Sequence, residues 1–310
     1  MQSSSPSPIA SFTASPSLLP SLFVLRACGG IMRAFYLGKR DYRRVLQLQE
    51  AIFDAKIARQ VSVRRGECTL PLISDVTLLV EHSAPVYTMG RRDTAEGLPK
   101  HCHVDTVKTK RGGGITYHGP GQLTMYPIAS IQLLWKACTA QKVRSPIEWF
   151  TWVLEEAMIQ SSAHFGIPAH RFKSGVWADQ FNDSPPRKLG AIGLQLGSWV
   201  SMHGAGFNVS NDLHYFDDII MCELPGRRAT SLCNELAQRG LSSATAPQAR
   251  LVAPLLLENF VESLHQPPDF VVPKLLDLSS DENWHDAVLV ASGVPRGWRG
   301  RSARPAAAGA

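Results

Sequence analysis

The order of elements along this chain predicts an α+β fold. Apolar, β-branched runs and amphipathic helical stretches follow one another without the regular strand–helix–strand rhythm of a doubly wound sheet. The chain is 310 residues long and 44% hydrophobic, enough for a sizeable core. No stretch approaches the roughly 20 apolar residues that span a bilayer; the nearest, Leu18 to Leu25, is broken by Pro20.

Residues 1–31 are rich in Ser and Pro and hold no acid, a composition that does not pack. A secretory signal carries positive charge ahead of its apolar stretch, whereas Arg26 follows it. The segment therefore reads as a mitochondrial presequence or as a plain disordered extension. Ordered structure is expected from about Ala34. Asp41 can cap a helix whose apolar residues Val45, Leu48, Ile52 and Phe53 recur at helical spacing. Val76 to Val80 is a β-branched run suited to a buried strand, and Gly121 to Ile131 is again strand-like. Ser145, Pro146 and Glu148 form a capping box at the head of a helix that carries Phe150, Val153, Leu154, Ala157 and Met158 on one face. Gly166 and Pro168 end it. Strands are expected at Gly175 to Ala178, Leu189 to Gln195 and Trp199 to Val209, and a last helix at Leu255 to Leu264 with Pro254 at its start. Beyond about Pro267 the pattern decays, and Val294 to Ala310 is Gly-, Ala-, Pro- and Arg-rich, as a disordered tail is. The expected organisation is an extension over 1–31, a catalytic domain over 32–267 that folds by itself, and a disordered tail over 268–310.

The net charge of +6 sits in the ends. Setting aside the four basic residues of 1–40 and the four arginines of 289–310 leaves 41–288 at about −2. A near-neutral body argues against nucleic-acid binding, which requires a basic face on the folded domain. The six cysteines are scattered, with no C-x-x-C pair, as free thiols in a reducing compartment are. His101-Cys102-His103 offers three borderline metal ligands, but no second pair at zinc spacing accompanies it.

Four clusters could carry chemistry. Arg111-Gly112-Gly113-Gly114-Ile115-Thr116-Tyr117-His118, followed by Gly119-Pro120-Gly121-Gln122, leaves backbone bare for close approach to a ligand. Its spacing fits neither dinucleotide nor Walker A loops, and it reads either as a glycine-rich hairpin or as a site. Lys188, ahead of Leu189-Gly190-Ala191-Ile192-Gly193, is a solvated strand end or a cation that favours a nearby thiolate. His203-Gly204-Ala205-Gly206-Phe207-Asn208 suits a snug wall with polar contacts from His203 and Asn208, or a tightly packed turn. Cys222 lies among turn formers, ahead of Thr230-Ser231-Leu232; a buried cysteine is more often inert than reactive.

Taken together, these clusters resemble the octanoyltransferases, the lipoyl(octanoyl) transferases of lipoic acid synthesis. Arg111 to Gln122 is similar to that family's R-G-G-x-x-T-Y-H-G-P-G-Q signature, and Glu81 to Gly90 to its E-H-x-x-x-Y-T-x-G stretch. Gly175-Val176-Trp177, Lys188 to Gly193, His203 to Asn208, and Cys222 with Thr230-Ser231-Leu232 follow in the family's order across about residues 34–265. Met221 and Glu223 replace the Pro and Gly that flank the nucleophile in the family pattern, and Gly206-Phe207 replaces Ala-Leu.

The resemblance implies a mixed sheet with flanking helices, similar to the biotin and lipoate ligase catalytic domain. It implies transfer of an octanoyl group from octanoyl-acyl carrier protein to a lysine of a lipoyl domain, such as the glycine cleavage H protein or the E2 subunit of a 2-oxoacid dehydrogenase, in mitochondria for a eukaryotic member. In that family Cys222 would be the acyl-thioester nucleophile and Lys188 the residue that lowers its pKa. Arg111, Gly112, Gly113, Gly114, Ile115, Thr116, Tyr117, His118, Ala191, Ile192, Gly193, Gly204, Ala205 and Gly206 would contact substrate. The chemistry asks for no metal or nucleotide cofactor. An ATP-dependent lipoate or biotin ligase, or a catalytically impaired carrier-binding homologue, is the alternative.

Overall fold

The computed structural model describes residues 32–67, 73–92, 103–139, 145–173, 175–181, 185–219, 226–240, 246–267, 270, 273–295 and 298. Residues 1–31, His101, Cys102 and Met221 to Glu223 lie outside this set.

Strand β1 (Met32–Arg40) alternates its side chains across the sheet. Ala34 and Tyr36 enter one core, and Phe35 and Leu37 enter the other. Asp41 caps α1 (Tyr42–Arg64) by accepting from the Arg44 N–H at 3.0 Å. Both faces of β2 (Asp75–His82) are covered, so it reads as an unbroken apolar run. Strand β6 (Gln122–Ile128) lies beside it, antiparallel. The capping box at Ser145 and Glu148 opens α3 (Pro146–His164) as expected.

Strands β7 (Ala169–Arg171), β8 (Gly175–Ala178), β9 (Arg187–Gly197) and β10 (Val200–Asn208) complete most of an eight-stranded mixed sheet. Its order is β11-β1-β2-β6-β10-β9-β8-β7, with β11 (Leu275–Asp277) parallel to β1 and β1 parallel to β2. Helices α3 and α5 (Ala249–Ser263) cover one face. Helices α1 and α6 (Trp284–Ser292) cover the other. Short helices α2 (Ile131–Ala137) and α4 (Leu232–Gln238) fill in between strands. A second sheet, β4 (Asp105–Lys108), β3 (Val86–Met89) and β5 (Thr116–His118), packs against the turn at His214–Phe216 through Tyr87, Met89, Tyr117 and Phe216. The fold is the expected α+β class with a mixed sheet and flanking helices.

Three expectations are corrected. Ile131 opens α2 rather than closing the preceding strand. Pro254 sits inside α5, which begins at Ala249. The buried stripe Ala249, Val252, Ala253, Leu256 and Phe260 holds that helix together despite the one hydrogen bond that proline cannot donate. Ordered structure also continues beyond 267. Leu278 N–H donates to Tyr36 O at 2.8 Å, and the Arg40 guanidinium donates to the carbonyls of Leu278, Ser279 and Asp281. Helix α6 buries Trp284 and Val288 against the α1 core, and Arg40 and Arg44 lie over the Trp284 ring.

A chain ending at residue 267 is therefore expected to be destabilised. Loss of two buried apolar side chains costs about 3–6 kcal/mol, which lowers the melting temperature of a domain this size by about 10–20 °C. Scanning calorimetry of the shortened and full chains measures it; equal melting temperatures would show that 268–310 adds nothing to the fold.

Candidate active site

Strands β9 and β10 run side by side with Gly193 opposite Gly204 and Ala191 opposite Gly206. The glycine-rich loop is fastened to them: Gly112 N–H donates to Leu194 O at 2.8 Å. Between loop and strands lies a cavity of about 550 Å³, in the range of small-molecule sites.

Of the residues singled out in the sequence, Arg111 to Thr116, His118, Lys188, Ala191 to Gly193 and Gly204 to Gly206 all line this cavity. Tyr117 does not. It occupies the middle of a three-residue strand, so its side chain leaves by the face opposite to Thr116 and His118. Its ring stacks on Tyr215 at 4.8 Å and meets Phe216 edge-on at 5.3 Å. Tyr117 supports the site from behind.

Arg111 is 6% exposed, and its guanidinium is largely committed to the fold. It donates to the carbonyls of Gly112, Gly114 and Thr88 and to Thr88 Oγ1, at 2.6–3.0 Å. Five donors in a fixed fork suit this task of gathering carbonyls around a bare loop.

Lys188 is buried at the head of β9, and a strand bulge aims it. Trp177 pairs with Lys188 but Val176 pairs with Gly190, so Leu189 is the extra residue. Leu189 enters the core while Lys188 and Ala191 both line the cavity. The Lys188 ammonium lies 5.6 Å from the Trp177 ring centroid, a cation–π contact. Gly175 leaves space for it: a Cβ there would stand 3.0 Å from Lys188 Cε. The Gly175 and Trp177 of the G-V-W motif thus both bear on the lysine side chain. The Lys188 backbone is paired as well. Its N–H donates to Arg228 O and its carbonyl accepts from Thr230 N–H, both at 2.9 Å.

Behind these residues is a layer of buried imidazoles. His118 is held down to about 4 by burial, against a hydrogen bond to Gln122, with the Arg111 charge adding to the depression. Burial, with the neighbouring His118, takes His82 to about 3. His203 is also lowered to about 3, first by burial and then by Arg111 and His118. All three rings are neutral at physiological pH. His203 has φ +61°, a left-handed conformation inside a strand that costs a non-glycine residue about 1–3 kcal/mol. Its N–H donates to Gln49 Oε1 at 3.1 Å.

Cys222 lies outside the described residues. Among the described cysteines, Cys138 is buried in the core and Cys233 is half-buried, donating to Pro247 O. Neither lines the cavity, and burial raises the Cys233 thiol above its ordinary value. Tyr42, Tyr126, Ile147, Thr151 and Lys173 line the cavity without having been marked by any local motif. They come from α1, β6, α3 and the turn after β7, and only tertiary packing brings them together.

The lipoyl protein ligase A/B catalytic domain family matches residues 41–251. An octanoyltransferase of Christiangramia forsetii is 36% identical over 214 residues, 66% of this chain and 86% of that protein. The mitochondrial octanoyl-[acyl-carrier-protein]:protein N-octanoyltransferase LIPT2 of Danio rerio is 30% identical over 257 residues, 81% of this chain and 92% of its own. Among solved structures, the bipartite lipoate protein ligase of Thermoplasma acidophilum superposes with a TM-score of 0.52 at 14% identity, covering 86% of this chain and 98% of its own. A lipoate-protein ligase A bound with ATP gives 0.51 at 16%, with the same coverages. At such identities the structural likeness speaks for the fold.

Proposed function

The chain belongs to the lipoyl protein ligase A/B catalytic domain family and is an octanoyltransferase of lipoate biosynthesis, and from that premise we propose that it takes its octanoyl group from acyl carrier protein and passes it, through a thioester on Cys222, to a lysine of a lipoyl domain. The observation that carries this reading is Lys188. Its side chain is in the cavity, and its backbone is hydrogen-bonded on both sides to 228–230, the stretch into which the chain runs after Cys222.

The donor is a thioester, which needs a good nucleophile and little help for its leaving group. The Cys222 thiolate attacks the carbonyl carbon, the new C–S bond forms, and the carrier's sulfur departs and takes up a proton. The acceptor's amine then attacks the same carbon and displaces Cys222. A free cysteine is only a few per cent thiolate at pH 7. The Lys188 cation, in surroundings poor in water, raises that fraction. Backbone N–H groups of the glycine-rich loop can hold the oxyanion of each half-reaction. Ala191, Ile192 and Ala205 leave room for an eight-carbon chain, and Arg111, Gly112 to Thr116, His118, Gly193, Gly204 and Gly206 complete its surroundings.

The mitochondrial relative supports the same compartment for this chain, with residues 1–31 as the presequence. We take the domain as 32–295, a reading supported by the pairing of β11 with β1 and the burial of Trp284 and Val288 against α1.

Intact mass spectrometry after incubation with octanoyl-acyl carrier protein, without ATP or Mg²⁺, tests the reaction. One octanoyl mass is expected on the enzyme, mapped by peptide digestion to Cys222, and it should pass to an added lipoyl domain. An absolute requirement for ATP would establish a ligase instead.

A further inference from the structure

A line of hydrogen bonds crosses the site and decides where one proton sits. Thr230 O can only accept, so the Asn208 atom 2.9 Å from it is the amide Nδ2. Asn208 Oδ1 is thereby turned to Gln122, whose Nε2 donates to it at 2.9 Å and to Tyr117 O at 3.2 Å. That leaves Gln122 Oε1 facing His118 Nδ1, 2.6 Å away. An amide oxygen only accepts, so Nδ1 carries the proton of the neutral ring, and Nε2 carries a lone pair. Two main-chain carbonyls at the ends of the line leave no other assignment.

The ring is held in place and open on one side. Tyr42 stacks on it at 6.0 Å and 11°, and His82 lies 5.8 Å away. Nε2 makes no hydrogen bond among the described residues, and His118 lines the cavity. Beside Cε1, the carbon next to Nε2, stands Gly206, where a Cβ would come within 3.4 Å.

We propose that His118 is the proton acceptor for the amine that attacks the acyl-enzyme, with Gln122 as the residue that positions its lone pair. The inference rests on the Cys222 acyl-enzyme proposed above. As the amine nitrogen bonds to the thioester carbon, the C–S bond breaks and Cys222 leaves as thiolate. The proton shed by nitrogen goes to His118 Nε2 and from there to solvent, which restores the neutral ring and leaves Cys222 as the thiolate of the first half-reaction. The first half-reaction starts from a thiolate and has no such proton to remove, so the role is confined to the second.

Single-turnover kinetics separate the two steps. The octanoyl-enzyme is formed from octanoyl-acyl carrier protein, freed of donor and mixed with a lipoyl domain, and both the gain and the loss of the octanoyl mass are timed. His118→Ala is expected to slow the loss to the amine about tenfold, below the scale of a base matched to neutral pH because burial keeps this ring weakly basic, and to leave the gain nearly unchanged. Gln122→Met, which keeps the imidazole but removes its Nδ1 partner, should slow the same step by a smaller factor. It decides the matter if His118→Ala does not fold. Equal slowing of both steps by these variants, or unchanged loss to the amine, would overturn the assignment of His118. Failure of the wild-type enzyme to acquire an octanoyl group overturns the acyl-enzyme reading itself, and this inference with it.

Discussion

Cys222→Ser is expected to abolish the octanoyl adduct and to reduce transfer by about 10³-fold or more, the scale of losing an enzyme's nucleophile. A serine hydroxyl ionises far above pH 7, and the Lys188 cation that favours a thiolate does little for such a group. Cys233→Ser serves as the control. Burial raises the Cys233 thiol, its hydrogen bond goes to Pro247 O, and it stands away from the cavity. It should label no more slowly after that substitution than before. An octanoyl mass that survives Cys222→Ser, or that maps to Cys233, would reassign the nucleophile.

Lys188→Ala should move the ionisation of Cys222 upward by about 1.5 pH units, the difference between a thiol that is half ionised at pH 7 and an ordinary one. That shift corresponds to about 2 kcal/mol. The sign is that of an acid losing a neighbouring cation: less thiolate at every pH below the new midpoint. The rate at pH 7 is a poorer witness than the midpoint. Thiolate falls about 16-fold by that shift, yet the more basic thiolate that remains is about 5-fold more nucleophilic. Alkylation at pH 7 thus slows only about threefold. Octanoyl transfer should slow more, by about tenfold, because a more basic thiolate is also a poorer leaving group in the second step. An alkylation profile that keeps its midpoint would refute the electrostatic role. Lys188 also touches Trp177 and the space beside Gly175, so a melting curve must accompany the kinetics.

Much of the sheet was legible because both of its faces are covered. Val76 to Val80 and Gly175 to Ala178 are apolar runs with turn formers beside them, and they fold as strands at those positions. The Ser145 capping box marked a helix start to the residue, since it depends on three neighbours alone. The cavity-lining glycine and alanine stretches stood out as bare backbone in three separate places, and the resemblance to the octanoyltransferases is what marked them as substrate contacts. The segment after 267 was not read, although part of its signal is local. Trp284, Val288 and Ser292 recur every four residues and Gly293 ends the helix in a left-handed turn. Three residues of β11 carry no periodicity, and their partner β1 is more than 230 positions away. The orientation of Tyr117 follows from strand alternation once Thr116 to His118 is known to be a strand. Tyr42 and Tyr126 reach the cavity through packing between elements far apart in sequence, which no window along the chain reveals.

Lys188 and the stretch downstream of Cys222 are joined by amide groups, Lys188 N–H to Arg228 O and Thr230 N–H to Lys188 O. Every residue but proline carries both groups, so this junction does not depend on which side chains stand around it. Geometry and reactivity are therefore inherited separately. Substitution at Trp177 or Gly206 can retune the lysine or reshape the acyl slot while the main chain still delivers 228–230 to the same strand. A frame of that kind can accumulate changes of substrate or mechanism one side chain at a time, with the reacting parts kept in register throughout.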